Sequence, residues 1–82
     1  MSTRMALTQL APGRPAVVVE VQGGHGLVRR LEAIGIRVGQ KVEAVSGPFM
    51  RGPVTVRAGN VRVAIGFGAA RKVFVETGEP QP

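Results

Sequence analysis

Alternating apolar and polar positions predict short β-strands along most of this 82-residue chain. The alternation is carried by β-branched residues, which favour the pleated strand conformation. It occurs in five segments, 16–21, 41–47, 54–58, 61–65 and 73–77. We expect the inward faces of the last three strands to comprise Val54, Val56, Val61, Val63, Ile65, Val73 and Val75. In the first strand, one face carries Val17, Val19 and Val21, and the other carries Val18 and Glu20.

A helical spacing interrupts these strands after the first of them. Leu27, Leu31 and Ile34 recur at intervals of four and three residues, which predicts one apolar stripe on a short helix. Gly35 follows directly and fits the C′ position of a helix, where the left-handed backbone disfavours residues that carry a Cβ. Ile36 is then expected to pack back on Leu31, so that the helix ends sharply before the second strand.

Two turns share one sequence pattern, LAPGRPAV and IRVGQKV, in which an apolar residue and two further residues precede a glycine and a strand. Pro12-Gly13 has the residue order of a type II turn, in which the glycine takes a positive φ. Val38-Gly39 places a glycine where the second turn makes the same demand. We interpret the likeness as one turn design used twice, rather than as a domain repeat.

Short strands, tight turns and one helix in the first long connection favour a small closed β-barrel, since closure removes edge strands. Gly59-Asn60 has the composition of a two-residue hairpin loop. Residues 66–72 predict a turn, with one helical turn over 69–72. We expect a flexible N-terminus over residues 1–4, one domain over residues 5–77 and a flexible tail over residues 78–82.

The composition narrows the class of protein and its location. The longest apolar run is Ala16–Val19, so no segment of the sequence is expected to span a bilayer. The start of the chain lacks the apolar core of a signal peptide, and the cytoplasm is therefore the expected location. The chain has no cysteine, which excludes disulfides and thiolate metal ligands.

The charge balance is basic, with eleven Lys and Arg against five Glu, no Asp and a net charge of +6. Such a balance indicates an acidic partner, which could be nucleic acid, an anionic lipid surface or an acidic patch on a protein. The alternative is that the charge only keeps the protein in solution. A nucleic-acid-binding barrel would need aromatic residues for stacking, and the chain has only three Phe.

The titratable residues offer little for catalysis, and we expect no enzyme. One His, five scattered Glu and Ser46 do not form a nucleophile with its base or a pair of acids. His25 is a weak candidate metal ligand, because Fe(II) and Mn(II) sites usually gather several carboxylates and imidazoles. The alternative for His25 is an exposed loop histidine. The surrounding GGHGLVRR lacks the spacing and the lysine of a phosphate-binding loop.

RRLEAIGIRVGQKVEAV, from Arg29 to Val45, resembles the ferrous iron transport protein A family, that is, FeoA-like domains. The family pattern is Arg-Leu, three residues, Gly, a hydrophobic residue, two residues, Gly and a strand. MALTQLAPGRPAVVVEV resembles the opening of the family, and VRVAIGFGAARKVFVE resembles its closing strands. The resemblance covers about Met5 to Glu76. The chain departs from the family at Val38, where proline is frequent.

The resemblance implies an all-β fold with one short helix, an SH3-like small β-barrel. It implies a small accessory protein of bacterial ferrous iron uptake that modulates the membrane Fe(II)-transporting GTPase (FeoB-like) by protein–protein contact at the inner face of the membrane. The family is associated with a transition metal ion, Fe2+, whereas this chain's own ligand set favours no firm cofactor. A metal-regulator-type SH3-like domain and a nucleic-acid-binding barrel are the alternatives, and a homo-oligomer is open.

The candidate partner-binding residues lie on the helix and in the loop GPFMRGP at residues 47–53. Phe49 and Met50 place large apolar side chains at a turn, and exposed apolar clusters tend to mark partner sites. Arg29, Arg30 and Arg51 are expected to rim that patch and to speed the encounter with an acidic partner. The alternative is that Phe49 and Met50 fold back and cap one end of the barrel.

Overall fold

The structure, a computed structural model, describes residues 2–47 and 50–78, in which one six-stranded antiparallel sheet forms most of the fold. Its strands are β1 (Ser2–Ala6), β2 (Pro15–Val21), β3 (Lys41–Ser46), β4 (Val54–Ala58), β5 (Val61–Ile65) and β6 (Val73–Gly78). The helices are α1 (His25–Ala33) and the four-residue α2 (Phe67–Ala70), and a 3-10 turn spans Leu7–Gln9. The mostly β fold with one short helix is confirmed, and α2 lies two residues before the predicted helical turn.

The strand order is β1-β6-β2-β3-β4-β5, which makes a small barrel-like sheet that is not closed. The expected closure is therefore wrong, because β1 and β5 each lie at an edge. Hydrophobic alternation identifies the strands, but it carries no information on whether the first and the last strand hydrogen-bond to each other.

The first strand, β1, corrects the prediction of a flexible N-terminus over residues 1–4. Residues from Ser2 onward pair with β6, so that Thr3 lies opposite Thr77 and Met5 lies opposite Val75. The buried Thr77 hydroxyl donates a hydrogen bond to the Thr3 carbonyl at 3.5 Å. The sequence did not predict β1, because this strand is held by backbone pairing with β6 and has no clear apolar alternation of its own. At the other end Gly78 closes β6, and residues 79–82 lie outside the described residues.

The core confirms most of the inward positions and overturns two. Buried residues include Val54, Val56, Ile65, Val73 and Val75, as predicted. Val63 is half-buried against them, but Val61 is 58% exposed, because it lies at the hairpin end of the edge strand β5. Ile34 is 40% exposed, so the predicted helical stripe reaches the core only through Leu31 and, in part, Leu27.

The alternation in β2 is broken by a register shift against β6 between Val18 and Glu20. Val18 is almost completely buried, whereas Val17 is 37% exposed. A shift of this kind inserts one extra residue into a strand and bends it. The core side of β2 is therefore the face of Ala16 and Val18, which a plain alternation through residue 21 does not reveal.

The predicted helix stop is confirmed at Gly35, which has a φ of +92°. The Gly35 N–H donates to the Glu32 carbonyl at 3.0 Å, and the Ile36 N–H donates to the Leu31 carbonyl at 2.8 Å. These two bonds define a Schellman motif with Gly35 at C′. Ile36 is fully buried, so the residue that follows the helix anchors its end in the core.

The two similar turns occupy equivalent places on the β2–β3 pair. Gly13 and Gly39 have φ values of +84° and +92°, as the type II pattern predicts. The Gly13 N–H donates to the Ala44 carbonyl in β3 at 2.7 Å, and the Gly39 N–H donates to the Val18 carbonyl in β2 at 2.8 Å. The turn before β2 is thus bonded to β3, and the turn before β3 is bonded to β2. The paired residues Ala16 and Val42 lie between the two turns. The two segments form a local two-fold arrangement.

Candidate functional site

An open groove with a cavity volume of about 340 Å³ separates α1 from α2 and the start of β6. It is lined by Leu27, Arg30, Gly68, Ala69, Arg71 and Lys72. We term this surface the cationic groove. Its apolar part comprises Leu27 and Ala69, both half-buried against the core, and its charged part comprises the three cations.

Backbone bonds hold the two sides of the cationic groove in place. The Gln22 N–H, just after β2, donates to the Lys72 carbonyl at 2.7 Å, which ties the chain before α1 to the chain after α2. Lys72 and Ala70 in turn donate to the carbonyls of Ala69 and Gly66 at 3.0 and 2.9 Å. The short connection from β5 to β6 is therefore a fixed turn that presents Arg71 and Lys72 beside the helix.

The electrostatics of the cationic groove have one sign. Arg30, Arg71 and Lys72 are exposed, and none of these side chains makes a hydrogen bond or ion pair within residues 2–47 and 50–78. No acidic side chain from those ranges lines the groove. Arginine and lysine side chains remain charged at neutral pH. The groove therefore offers three unneutralised positive charges beside an apolar strip, which suits an acidic and partly apolar partner surface.

Of the four predicted partner-binding residues that the structure describes, one lies in the cationic groove. Arg30 lines it, and Arg29 is exposed on α1 outside it. Met50 is 86% exposed and Arg51 is also exposed, in the loop that follows β3. Phe49 lies outside the described residues.

The loop and the helix join the sheet at opposite ends of β4. The loop leads into Val54, whereas the end of α1 approaches Ala58, since a Cβ built on Gly35 would lie 3.8 Å from the Ala58 Cβ. A five-residue strand spans about 13 Å between these ends at ~3.3 Å per residue. The four described residues of the prediction therefore occupy two places in the fold.

Two loop residues adopt a left-handed backbone conformation that the sequence did not predict. Met50 and Arg51 have φ values of +53° and +64°, although neither is glycine. A left-handed residue with a Cβ costs about 1–2 kcal/mol. Such conformations cluster at functional sites and in switch regions, where the surrounding structure holds them. The exposure and the conformation of Met50 argue against a folded-back cap at that residue.

His25 is the exposed first residue of α1. Within the described ranges, no three His, Asp, Glu or Cys side chains come close enough to hold a metal ion together. His25 therefore has no described group of ligands to join.

Sequence reasoning missed Leu27, Arg71 and Lys72 as members of a site. The helical spacing places Leu27 in the core stripe, and residues 66–72 predict a turn that includes the two cations. Their signal was the doublet Arg71-Lys72 directly before the last strand, but its proximity to α1 depends on the pairing of β2 with β6. Neither helix of the described chain has the length and hydrophobicity needed to cross a membrane.

Comparison with known proteins agrees with the fold and extends it to a family. The FeoA domain model matches residues 5–77. A Methanocaldococcus jannaschii protein, provisionally named Fe(2+) transport protein A, is 33% identical over 67 residues, which cover 82% of this chain and 79% of that protein.

Solved structures show the same relationship. A crystal structure of an iron uptake regulatory protein (FeoA) superposes with a TM-score of 0.83 at 32% identity, covering 89% of this chain and 96% of the other. The zinc complex of FeoA from Stenotrophomonas maltophilia, described as an SH3 domain protein, gives a TM-score of 0.70 at 32% identity, covering 87% and 88%. A manganese-dependent transcriptional repressor shares the fold alone, with a TM-score of 0.82 at 18% identity over 94% of this chain and 43% of its own. The match over nearly the whole chain shows that this protein belongs to the FeoA domain family, with its SH3-like fold and its link to ferrous iron transport.

Proposed function

We propose that this chain is an accessory protein of ferrous iron uptake that docks on the membrane GTPase transporting Fe(II) and modulates it from the cytoplasmic side. Family membership supports the link to iron transport. The observation that carries the docking mechanism is the cationic groove, in which Arg30, Arg71 and Lys72 surround an apolar strip and have no ion-pair partner among the described residues.

The groove suits a binding role because of the chemistry of its side chains. Guanidinium and ammonium groups stay protonated near neutral pH, so they supply attraction and hydrogen-bond donors rather than proton transfer. Charges at the rim of an interface mainly raise the association rate and align the partner. Leu27 and Ala69 add apolar area between those charges. The partner surface that complements this arrangement carries carboxylates around a small apolar projection.

The loop residues Met50 and Arg51 supply a second contact in this proposal. Met50 exposes a flexible thioether side chain, which adapts readily to a binding surface. Because the loop and α1 join opposite ends of β4, one partner would have to span both places, or each place would take a different part of it. Phe49 remains a candidate from the sequence for the same contact.

The proposal is tested by titrating the isolated cytoplasmic domain of the cognate Fe(II)-transporting GTPase with this chain. The double variant Arg30→Glu with Arg71→Glu should lower the association rate roughly tenfold or more and flatten its dependence on salt, because steering scales with the charges at the rim. GTP hydrolysis, measured in the same titration, reports modulation in either direction.

A matched control is Arg37→Glu with Lys41→Glu, which makes the same change in net charge at exposed positions outside the groove. Equal association rates for the two double variants would contradict the groove as the docking surface. Titration with duplex DNA and single-stranded RNA tests the nucleic-acid alternative, for which binding that falls steeply with salt is the signature. No stacking aromatic lines the groove among the described residues, so we expect that signature to be absent.

A further inference from the structure

The edge strand β5 has a free side that the cationic groove does not use. It pairs with β4 only, and no other backbone hydrogen bond within the described ranges involves a residue of Val61–Ile65. Natural proteins usually cover such edges or protect them with charges and bulges, because an open edge can pair with another chain. In β5 the register against β4 is regular throughout, and the strand carries a single charged residue, Arg62.

The register fixes which backbone groups of β5 are open. The two-residue loop Gly59-Asn60 closes on the pair Ala58 and Val61, with Gly59 at a φ of +64° as a type II′ hairpin requires. Hydrogen-bonded and non-hydrogen-bonded pairs alternate along an antiparallel ladder. Because the pair next to a two-residue loop is hydrogen-bonded, Arg62 and Ala64 direct their N–H and C=O groups away from β4. These four groups can hydrogen-bond to one added strand.

The side chains of the outer face form a row of charges that ends at this edge. Glu43 in β3 lies opposite Arg57 in β4, and Arg57 lies opposite Arg62 in β5. The Arg57 guanidinium donates to the Glu43 carboxylate at 2.5 Å. Arg62 makes no ion pair or hydrogen bond with any side chain that the structure describes. Directly opposed like charges destabilise a sheet, and opposed unlike charges stabilise it.

We propose that β5 is a strand-addition site for an extended acidic segment of another protein, with a carboxylate placed opposite Arg62. An acidic side chain there would neutralise the one unpaired cation of the row and relieve its repulsion with Arg57. The backbone groups of Arg62 and Ala64 supply the main-chain bonds, as in other cases of strand addition. This surface is separate from the cationic groove and does not depend on it.

The charges favour an acidic partner over a second copy of this chain. Each copy carries a net charge of +6, so two copies brought edge to edge repel each other. A β5–β5 pairing would also leave both Arg62 side chains without a carboxylate from either strand, since β5 contains no acidic residue.

The test uses two blocked peptides as probes, Thr-Val-Glu-Val-Thr and the same sequence with Lys in place of Glu, and reads the amide shifts of this chain by NMR. The Glu peptide should shift the amides of Arg62 and Ala64 saturably, and the Lys peptide should bind roughly tenfold more weakly. Ala64→Pro should abolish binding without loss of folding, because proline is tolerated on an edge strand where its missing N–H faces solvent. Arg62→Ala should bring the two peptides to equal affinity.

The control variant is Arg37→Ala, which removes one exposed cation elsewhere and should leave the tenfold preference intact. Non-saturable shifts, or shifts on β1 rather than on β5, would overturn the proposal. Sedimentation of the chain alone covers the competing occupant: a dimer that Ala64→Pro disrupts would assign the edge to a second copy and also overturn it. If Ala64→Pro unfolds the protein, the Arg62→Ala comparison still decides the question.

Discussion

Replacing Gly35 by alanine isolates the cost of the left-handed backbone at the end of α1. Gly35 has a φ of +92°, and among the described residues a Cβ built there would meet only the Ala58 Cβ, at 3.8 Å. That distance is an ordinary van der Waals contact, so steric overlap contributes little. The expected loss therefore comes from the backbone, at about 1–2 kcal/mol for a residue with a Cβ. It is partly offset because alanine reduces the entropy of the unfolded chain by about 0.4–1 kcal/mol.

The net destabilisation is then about 1 kcal/mol, which lowers Tm by roughly 4–8 °C in a domain of this size. A matched control lies in the same helix. Gly26 has no positive φ, and a Cβ built there meets no atom of residues 2–47 and 50–78 within 4 Å. Gly26→Ala should therefore stabilise α1, by up to about 1 kcal/mol from helix propensity. The two variants carry the same chemical change and are expected to have opposite effects.

The assay is urea and thermal unfolding followed by far-ultraviolet circular dichroism, because the chain contains no Trp or Tyr for fluorescence. Gly35→Asn should be intermediate, since asparagine adopts the left-handed conformation more readily than alanine. A Gly35→Ala protein as stable as the wild type would refute the assignment of the Schellman motif as the device that ends α1. So would a Gly26→Ala protein that loses as much stability as Gly35→Ala.

Two further predictions concern the core and the metal. Val56→Ala should lower the free energy of unfolding by about 2 kcal/mol or more, because Val56 is fully buried. Val61→Ala should change it by less than about 0.5 kcal/mol, because Val61 is 58% exposed. Equal losses for the two variants in urea unfolding would contradict the edge position of Val61. Calorimetric titration of the isolated chain with Fe(II) or Mn(II) should show no stoichiometric site tighter than about 10 μM, because no group of three potential metal ligands occurs among the described residues. A one-to-one metal site that is lost in His25→Ala would contradict this prediction.

The sequence predicted the parts of the fold that depend on local geometry. Gly13, Gly35 and Gly39 have the positive φ values that their patterns require, because each demand is set by a few neighbouring residues. The alternation in β4 and β6 also gave the correct inward face, because both strands lie inside the sheet and have buried neighbours. The same alternation failed at Val61, which lies at the hairpin end of the edge strand β5, whereas Ile65 at the other end of that strand is buried.

What the sequence could not predict depends on long-range pairing. β1 forms by pairing with β6, and no sequence pattern in β1 indicates which strand it pairs with. The cationic groove depends on the same pairings, since Arg30 and Arg71 are 41 positions apart and are brought together by the β2–β6 pair. The predicted docking patch joined Arg29 and Arg30 to Phe49, Met50 and Arg51, and the structure divides its four described members between the two ends of β4.

The position of α1 follows from backbone bonds at both ends of its insertion. Before the helix, the Gln22 N–H is bonded to the Lys72 carbonyl, and after it the Gly39 N–H is bonded to the Val18 carbonyl. Ile36 fixes the end of α1 in the core between these points. Side chains such as Arg30 and Arg71 take no part in this fastening, so their charges can change without loosening the helix. The backbone therefore sets the geometry of the cationic groove, and its charged side chains do not hold the fold together. Substitutions of those side chains can match the groove to the charges of its partner without changing the fold.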